Sequence, residues 1–118
     1  MFRFEQLDIW HLAIVYAKSL YILIANFPKT ETFALSDQIR RAAVSISNNI
    51  AEGSGGTDKD FAKYIDIAVK SALETVSCLS MAFELKYITQ SEKDKLYIEA
   101  EVLIKRMRAF KNSLHIVS

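Results

Sequence analysis

Helix-breaking residues fall at only two places in this chain: Pro28, and the run Gly53-Ser54-Gly55-Gly56, which holds all three glycines. Proline inside a helix costs about 3 kcal/mol and glycine about 1 kcal/mol relative to alanine, so the segments between these places are free to be long helices. The hydrophobic pattern uses that freedom. Apolar residues recur at spacings of three and four along four segments, and no stretch alternates apolar and polar as a half-buried strand would. The first segment runs from about Phe4 to Asn26, with Leu7, Trp10, Ile14, Ala17, Tyr21 and Ile24 as its core stripe. Ile9, Leu12, Ala13, Val15, Leu20 and Leu23 spread its apolar surface round the cylinder, so it is buried on more than one side. Pro28 ends it.

A short link carries Phe33, expected to tuck onto the bundle. Ser36 then reads as the N-cap of the second helix, with Asp37 facing the positive end of its dipole, and Gly53 as its stop. The third helix opens at Thr57, spaced to Asp60 as in a capping box, and runs to Lys86 or Tyr87. Its stripe is Phe61, Ile65, Ala68, Ala72, Val76, Leu79 and Phe83. Thr89 and Glu92 form a fuller capping box before the fourth, with Leu96, Ala100, Leu103, Met107, Phe110 and Leu114 inside. Four amphipathic helices joined by short links predict an all-α, antiparallel up-down-up-down four-helix bundle, one domain over residues 1–118.

The second helix carries an unusual face. Leu35, Ile39, Ala42, Ala43, Ile46 and Ile50 share an apolar arc, and beside it lie Gln38, Arg41, Ser45, Asn48, Asn49 and Glu52. Val44 and Ala51 fall beyond that polar strip, so apolar residues fence it on both sides. Such a strip suits polar groups held between packed surfaces. Gln38, Arg41, Ser45, Asn49 and Glu52 are therefore read as a structural or intersubunit network, with Arg41 paired to a carboxylate such as Glu52 or Glu74. The alternative is contact with RNA phosphates or a partner chain.

Charge says little in bulk: 15 Lys and Arg against 14 Asp and Glu leave +1, which favours neither nucleic acid nor its absence. Its distribution says more. After Glu101 come Lys105, Arg106, Arg108 and Lys111 with no further acid. Lys105, Arg108, Lys111 and His115 share a face away from the core stripe. Together with Arg40, the residues Lys105, Arg108 and Lys111 are the candidate nucleic-acid contacts; the competing reading is a solvated helix end that complements the dipole. Hydrophobic residues make up 51%, and mean hydropathy is +0.11. That is high for a small domain, and the excess reads as a subunit interface.

Catalytic readings find little support. Asp8-x-x-His11 has the spacing used in metal bundles, but His115 has Asn112 where a second acid is needed, so no metal is expected. The Gly53–Thr57 run resembles a phosphate loop only superficially, since it follows a helix and lacks the lysine. No nucleophile–His–acid set is visible, and neither an enzyme nor a cofactor is expected. The lone Cys78 suits a reducing compartment, the longest apolar run (Leu12 to Ile24) is short for a membrane span and interrupted by Lys18, and the N-terminus lacks a basic signal. A cytoplasmic location follows.

Several segments carry a family resemblance. They are Phe4-x-x-Leu7-x-x-Trp10-x-x-Ala13, Phe27-Pro28 with Phe33-x-Leu35, Gln38 through Ile46, and Asn49-Ile50-Ala51-Glu52-Gly53. Phe61, Ala68, Ser71 through Glu74 and Tyr87-Ile88 continue the match. In these the chain resembles the bacterial four-helix-bundle proteins encoded within intervening sequences of 23S ribosomal RNA genes. The accessory bundle protein of diversity-generating retroelements is a more distant relative. Ala34 stands where that family has glycine, and Ser54-Gly55-Gly56-Thr57 where it has a basic residue. The resemblance implies a ring-like homo-oligomer, commonly a pentamer, and an association with RNA or a nucleic-acid-handling protein. A protein-only interaction module is the alternative.

Overall fold

The computed structural model describes residues 1–116 and contains four long helices: α1 (Asp8–Ile24), α2 (Leu35–Gly53), α3 (Asp58–Glu84) and α4 (Gln90–Asn112). Short 3-10 turns precede α1 (Arg3–Gln6) and α2 (Lys29–Glu31). Each helix packs against its two chain neighbours, with α4 closing on α1, so α1 and α3 share one diagonal and α2 and α4 the other. The result is the expected antiparallel bundle, a rod of 47 × 24 × 23 Å.

Local signals set most helix ends. Thr57 Oγ1 accepts from the Asp60 amide at 3.2 Å while Asp60 reaches back to the Thr57 amide, and Thr89 and Glu92 repeat the exchange at 3.1 and 2.8 Å. At the other end of α3, Tyr87 N–H donates to Ala82 O and Lys86 N–H to Phe83 O, a Schellman closure with Lys86 at φ 65°. Several boundaries differ from the sequence reading, and α1 and α3 end at Ile24 and Glu84, short of the expected Asn26 and Lys86 or Tyr87. α1 starts at Asp8 because Leu7 is extended, which leaves Arg3–Gln6 as a separate turn with Phe4 packed 5.1 Å from Trp10. α2 starts at Leu35, so Ser36 is a buried residue of its first turn and caps nothing. α2 ends at Gly53 as expected, but this glycine is itself helical with no positive φ and is needed for contact, since a Cβ there would lie 2.8 Å from the Phe61 ring and from Tyr64 Cβ.

The core stripes of α2, α3 and α4 lie where periodicity puts them, with Leu35, Val76, Phe83, Phe110 and Leu114 at the edges. That of α1 does not. Its buried residues are Ile9, Ala13, Tyr16, Leu20, Leu23 and Ile24; Leu7, Trp10, Ile14 and Ala17 are only half-buried, and Tyr21 is exposed. Apolar residues surround this helix, so spacing alone could not select the face.

Tyr16 and Thr75 place one polar link in the core. The Tyr16 hydroxyl is 2.8 Å from Thr75 Oγ1, which donates in turn to Ala72 O at 2.6 Å, so the phenol donates to Thr75. Burial pushes the Tyr16 phenol up to about 12 from 10.0. Thr75→Val strands the buried phenol hydrogen and should cost about 1–3 kcal/mol, more than Tyr16→Phe at about 1 kcal/mol, read as a fall in Tm of several degrees. The unfolded phenol ionises near 10 and the folded one near 12, so this part of the stability is intact below pH 10 and is lost between pH 10 and 12. Tyr16→Phe should flatten the loss across that window in alkaline unfolding curves.

Candidate interaction surfaces

The polar strip of α2 lies open in the single chain. Gln38, Arg41, Asn48 and Glu52 are exposed, while Ser45 and Asn49 are half-buried. Arg41 is 80% exposed at its side chain and bonds to Asp37, one turn back, at 2.8 Å. It pairs with neither Glu52 nor Glu74, because Asp37 on its own helix is within immediate reach. The connected part of the strip is smaller. Asn49 Nδ2 donates to Ser45 O at 2.7 Å and to Ser45 Oγ at 2.9 Å, and Ser45 Oγ meets Ser71 Oγ of α3 at 2.9 Å. These three residues tie α2 to α3. Gln38, Arg41 and Glu52 form no part of that tie and remain available to a second surface.

Val44 borders the strip towards α1, 41% exposed. With Ile14, Ala17, Tyr21 and Ile22 it lines an apolar groove between α1 and α2, beside the polar groove that holds Arg41, Asn48 and Glu52. The fence inferred from sequence is thus a strip of apolar surface open to a partner.

The structure divides the candidate cations. Arg40 donates to Thr32 O at 2.7 Å and lies 3.8 Å from Asp37, so it braces the α1–α2 link. Lys111 Nζ reaches both Asp66 oxygens at 2.8 and 3.0 Å, clamping α4 to α3. The His115 amide donates to Asp58 at 2.9 Å. Lys105, Arg106 and Arg108 are exposed and form no ion pair among the described residues. Lys105 and Arg108 flank a groove between α3 and α4 floored by Leu73, Val102 and Ile104. Sequence reasoning missed Asp66, Asp58 and Ser71 as partners. A usable signal existed: Asp66 and Lys111 stand at nearly equal chain distance from the turn at Ile88, where an antiparallel hairpin brings residues level.

The other polar candidates are engaged. His11 Nε2 is 2.6 Å from the Glu5 carbonyl, which makes that ring nitrogen a donor. Cys78 is buried, which raises its thiol above the ordinary 9.0, with Glu74 adding to the effect. Tyr16, Tyr87 and Tyr97 bond to Thr75, Glu31 and Ser80. Among the described residues, no helix is long and apolar enough to cross a membrane.

A family model described as 23S rRNA-intervening sequence protein matches residues 5–109. The fold is similar to the crystal structure of a protein with unknown function from the S23 ribosomal protein family of Bacteroides thetaiotaomicron. The TM-score is 0.78 at 24% identity, over 89% of this chain and 99% of that one. No curated protein matches the chain.

The exposed Arg41–Asp37 pair should contribute little within one chain. Arg41→Ala is expected to change the unfolding free energy by less than about 0.5 kcal/mol, and Asn49→Ala, which loses both bonds to Ser45, by about 1 kcal/mol, in denaturant titrations. A larger loss for Arg41→Ala would place Arg41 inside a subunit contact.

Proposed function

Since the chain belongs to the 23S rRNA-intervening sequence protein family, we propose that it works as a non-catalytic, homo-oligomeric helical scaffold that associates with RNA. The assembly is a ring of identical bundles, a pentamer on the family resemblance, and the location is cytoplasmic. The observation that carries the RNA reading is that Lys105, Arg106 and Arg108 are exposed on α4 and form no ion pair among the described residues, with Glu101 the one acid lining the groove beside Lys105 and Arg108. One such strip is a modest field. Repeated round a ring it becomes a belt, and phosphate neutralisation adds over contacts. Arg40 and Lys111 are secondary in this reading, because each would have to leave an intrachain partner to meet a phosphate.

A protein-only interaction module is the second reading. It is favoured by the same groove, whose floor exposes Leu73 by 48% and Val102 by 43%. RNA phosphates do not need an apolar floor; a partner helix does.

Salt separates the two. Binding of a short structured RNA, followed by anisotropy, should weaken steeply as salt rises, and Lys105→Glu with Arg108→Glu should abolish it while mass and helicity stay unchanged. RNA affinity that is undiminished in that double variant would sink the basic strip as the RNA site. Absence of RNA binding by the unaltered protein at low salt would move the weight to a protein partner.

A further inference from the structure

We propose that Phe33 of one copy seats in the groove between the start of α2 and the end of α3 of the next copy, which fixes the direction in which the assembly turns. The inference rests on the homo-oligomeric reading and names the contact that builds it.

Phe33 is 94% exposed, contrary to the expectation that it tucks onto its own bundle. Its link is firmly held. The 3-10 turn Lys29–Glu31 precedes it, Ala34 N–H donates to Glu31 O, Arg40 to Thr32 O, and the Tyr87 hydroxyl to Glu31 Oε2. An aromatic ring held out by a braced loop loses little conformational freedom on docking, and aromatic side chains of this kind dominate interface energetics.

The same chain supplies a matching hole. Leu35, Gln38, Ser77, Cys78, Met81 and Glu84 line an open groove of about 400 Å³. A cavity of about 150 Å³ already holds a benzene ring. Met81 is 54% exposed there, and a thioether adapts well to an aromatic neighbour. Charge agrees: Lys29 lies in the turn before Phe33 and Glu84 on the groove, both exposed and outside every ion pair of the described residues. Height agrees too. Phe33 and the groove both lie at the end of the rod that carries the α1–α2 and α3–α4 links, so they are level in a ring whose axis follows the helices.

Closure follows from which faces are used. Phe33 stands on the link that joins α1 to α2, Tyr21 and Val44 lie exposed on the face those two helices form, and the receptor groove is on the α2/α3 face. In a square bundle these faces share α2 and meet at roughly a right angle, so each copy turns relative to the last and a small ring closes; opposite faces would extend a filament. α2 then lines the bore with Arg41, Asn48 and Glu52. α4, on the other diagonal, carries Lys105 and Arg108 on the outside. A side of 47 × 24 Å offers on the order of 1,100 Å², against the roughly 800 Å² per partner of a standard interface.

Light scattering on the unaltered protein, on Phe33→Ala and on Met81→Lys tests this. The expected result is a ring-sized species for the first, and for both variants a shift of about thirtyfold in the concentration of half-assembly, with circular dichroism unchanged. Oxidised Phe33→Cys/Met81→Cys should give a covalent ladder ending at ring size. An oligomer that Phe33→Ala leaves intact overturns this contact and spares the scaffold reading. A ladder that stops at two chains, or a disulfide within one chain, overturns the ring geometry. Unaltered protein that is monomeric at 13.4 kDa overturns the scaffold reading itself, and the contact with it.

Discussion

The close approach of α2 to α3 is the constraint on which the bundle depends. Small side chains make it possible: Ala42 and Ala43 on α2 and Ala62, Ala68 and Ala72 on α3 are all buried. Gly53 takes this furthest, because any side chain there would meet Phe61 and Tyr64. Ser45 and Ser71 can then touch across the seam. Helices this close leave no room for long polar side chains between them, so Gln38, Arg41, Asn48 and Glu52 are forced outward. The open polar strip is thus a consequence of the packing behind it.

That packing also decides which charges are free. Asp37 lies one turn from both Arg40 and Arg41 and holds both, and Asp66 on α3 is level with Lys111 on α4. Among the cations left outside any ion pair of the described residues, Lys105, Arg106 and Arg108 stand together on α4, on the diagonal it shares with α2. One chain therefore separates two chemistries: a mixed polar strip with apolar neighbours on one edge, and on the other a surface where Lys105, Arg106 and Arg108 outnumber Glu101. The first suits a self-association that needs direction, since amides and paired charges reject a wrong register. The second suits a polyanion, for which spacing matters more than shape.

Features set within one turn of helix were legible in the sequence. The capping boxes at Thr57 and Thr89 needed only residues three apart, and the stripes of α2, α3 and α4 only a single apolar face. Where two signals competed, the reading slipped. α1 is apolar almost all round, so its stripe was placed about one position from the true one, whose centre is Ala13, Tyr16 and Leu20. Gly53 was legible as the end of α2, but a sequence does not distinguish a glycine needed for its φ from one needed for its missing Cβ. The polar strip was visible as a pattern, but the partner of Arg41 was misjudged. Pairing with Glu52 or Glu74 assumed a buried charge, and an exposed arginine takes the nearest acid on its own helix. Phe33 was misplaced for the opposite reason: hydrophobicity argues for burial, and the braced α1–α2 link holds this ring 94% exposed.

The surface area bears on that last point. A compact monomer of 13.4 kDa exposes about 6,500 Å², and this chain exposes 7248 Å². The surplus follows from a rod-like shape with a radius of gyration of 14.9 Å, where about 13.5 Å is usual for this length. A rod has poor surface economy alone and good economy side by side, since lateral contact removes its largest faces from water. Its core is nonetheless complete in one copy: Tyr16, Phe61, Ile39, Ile46, Ile50, Ile65, Leu79, Leu103 and Met107 are all fully buried without help from a neighbour. The fold therefore does not draw on the exposed side chains of Phe33, Met81 and Val44, whereas a substitution at Gly53 or Thr75 damages it directly.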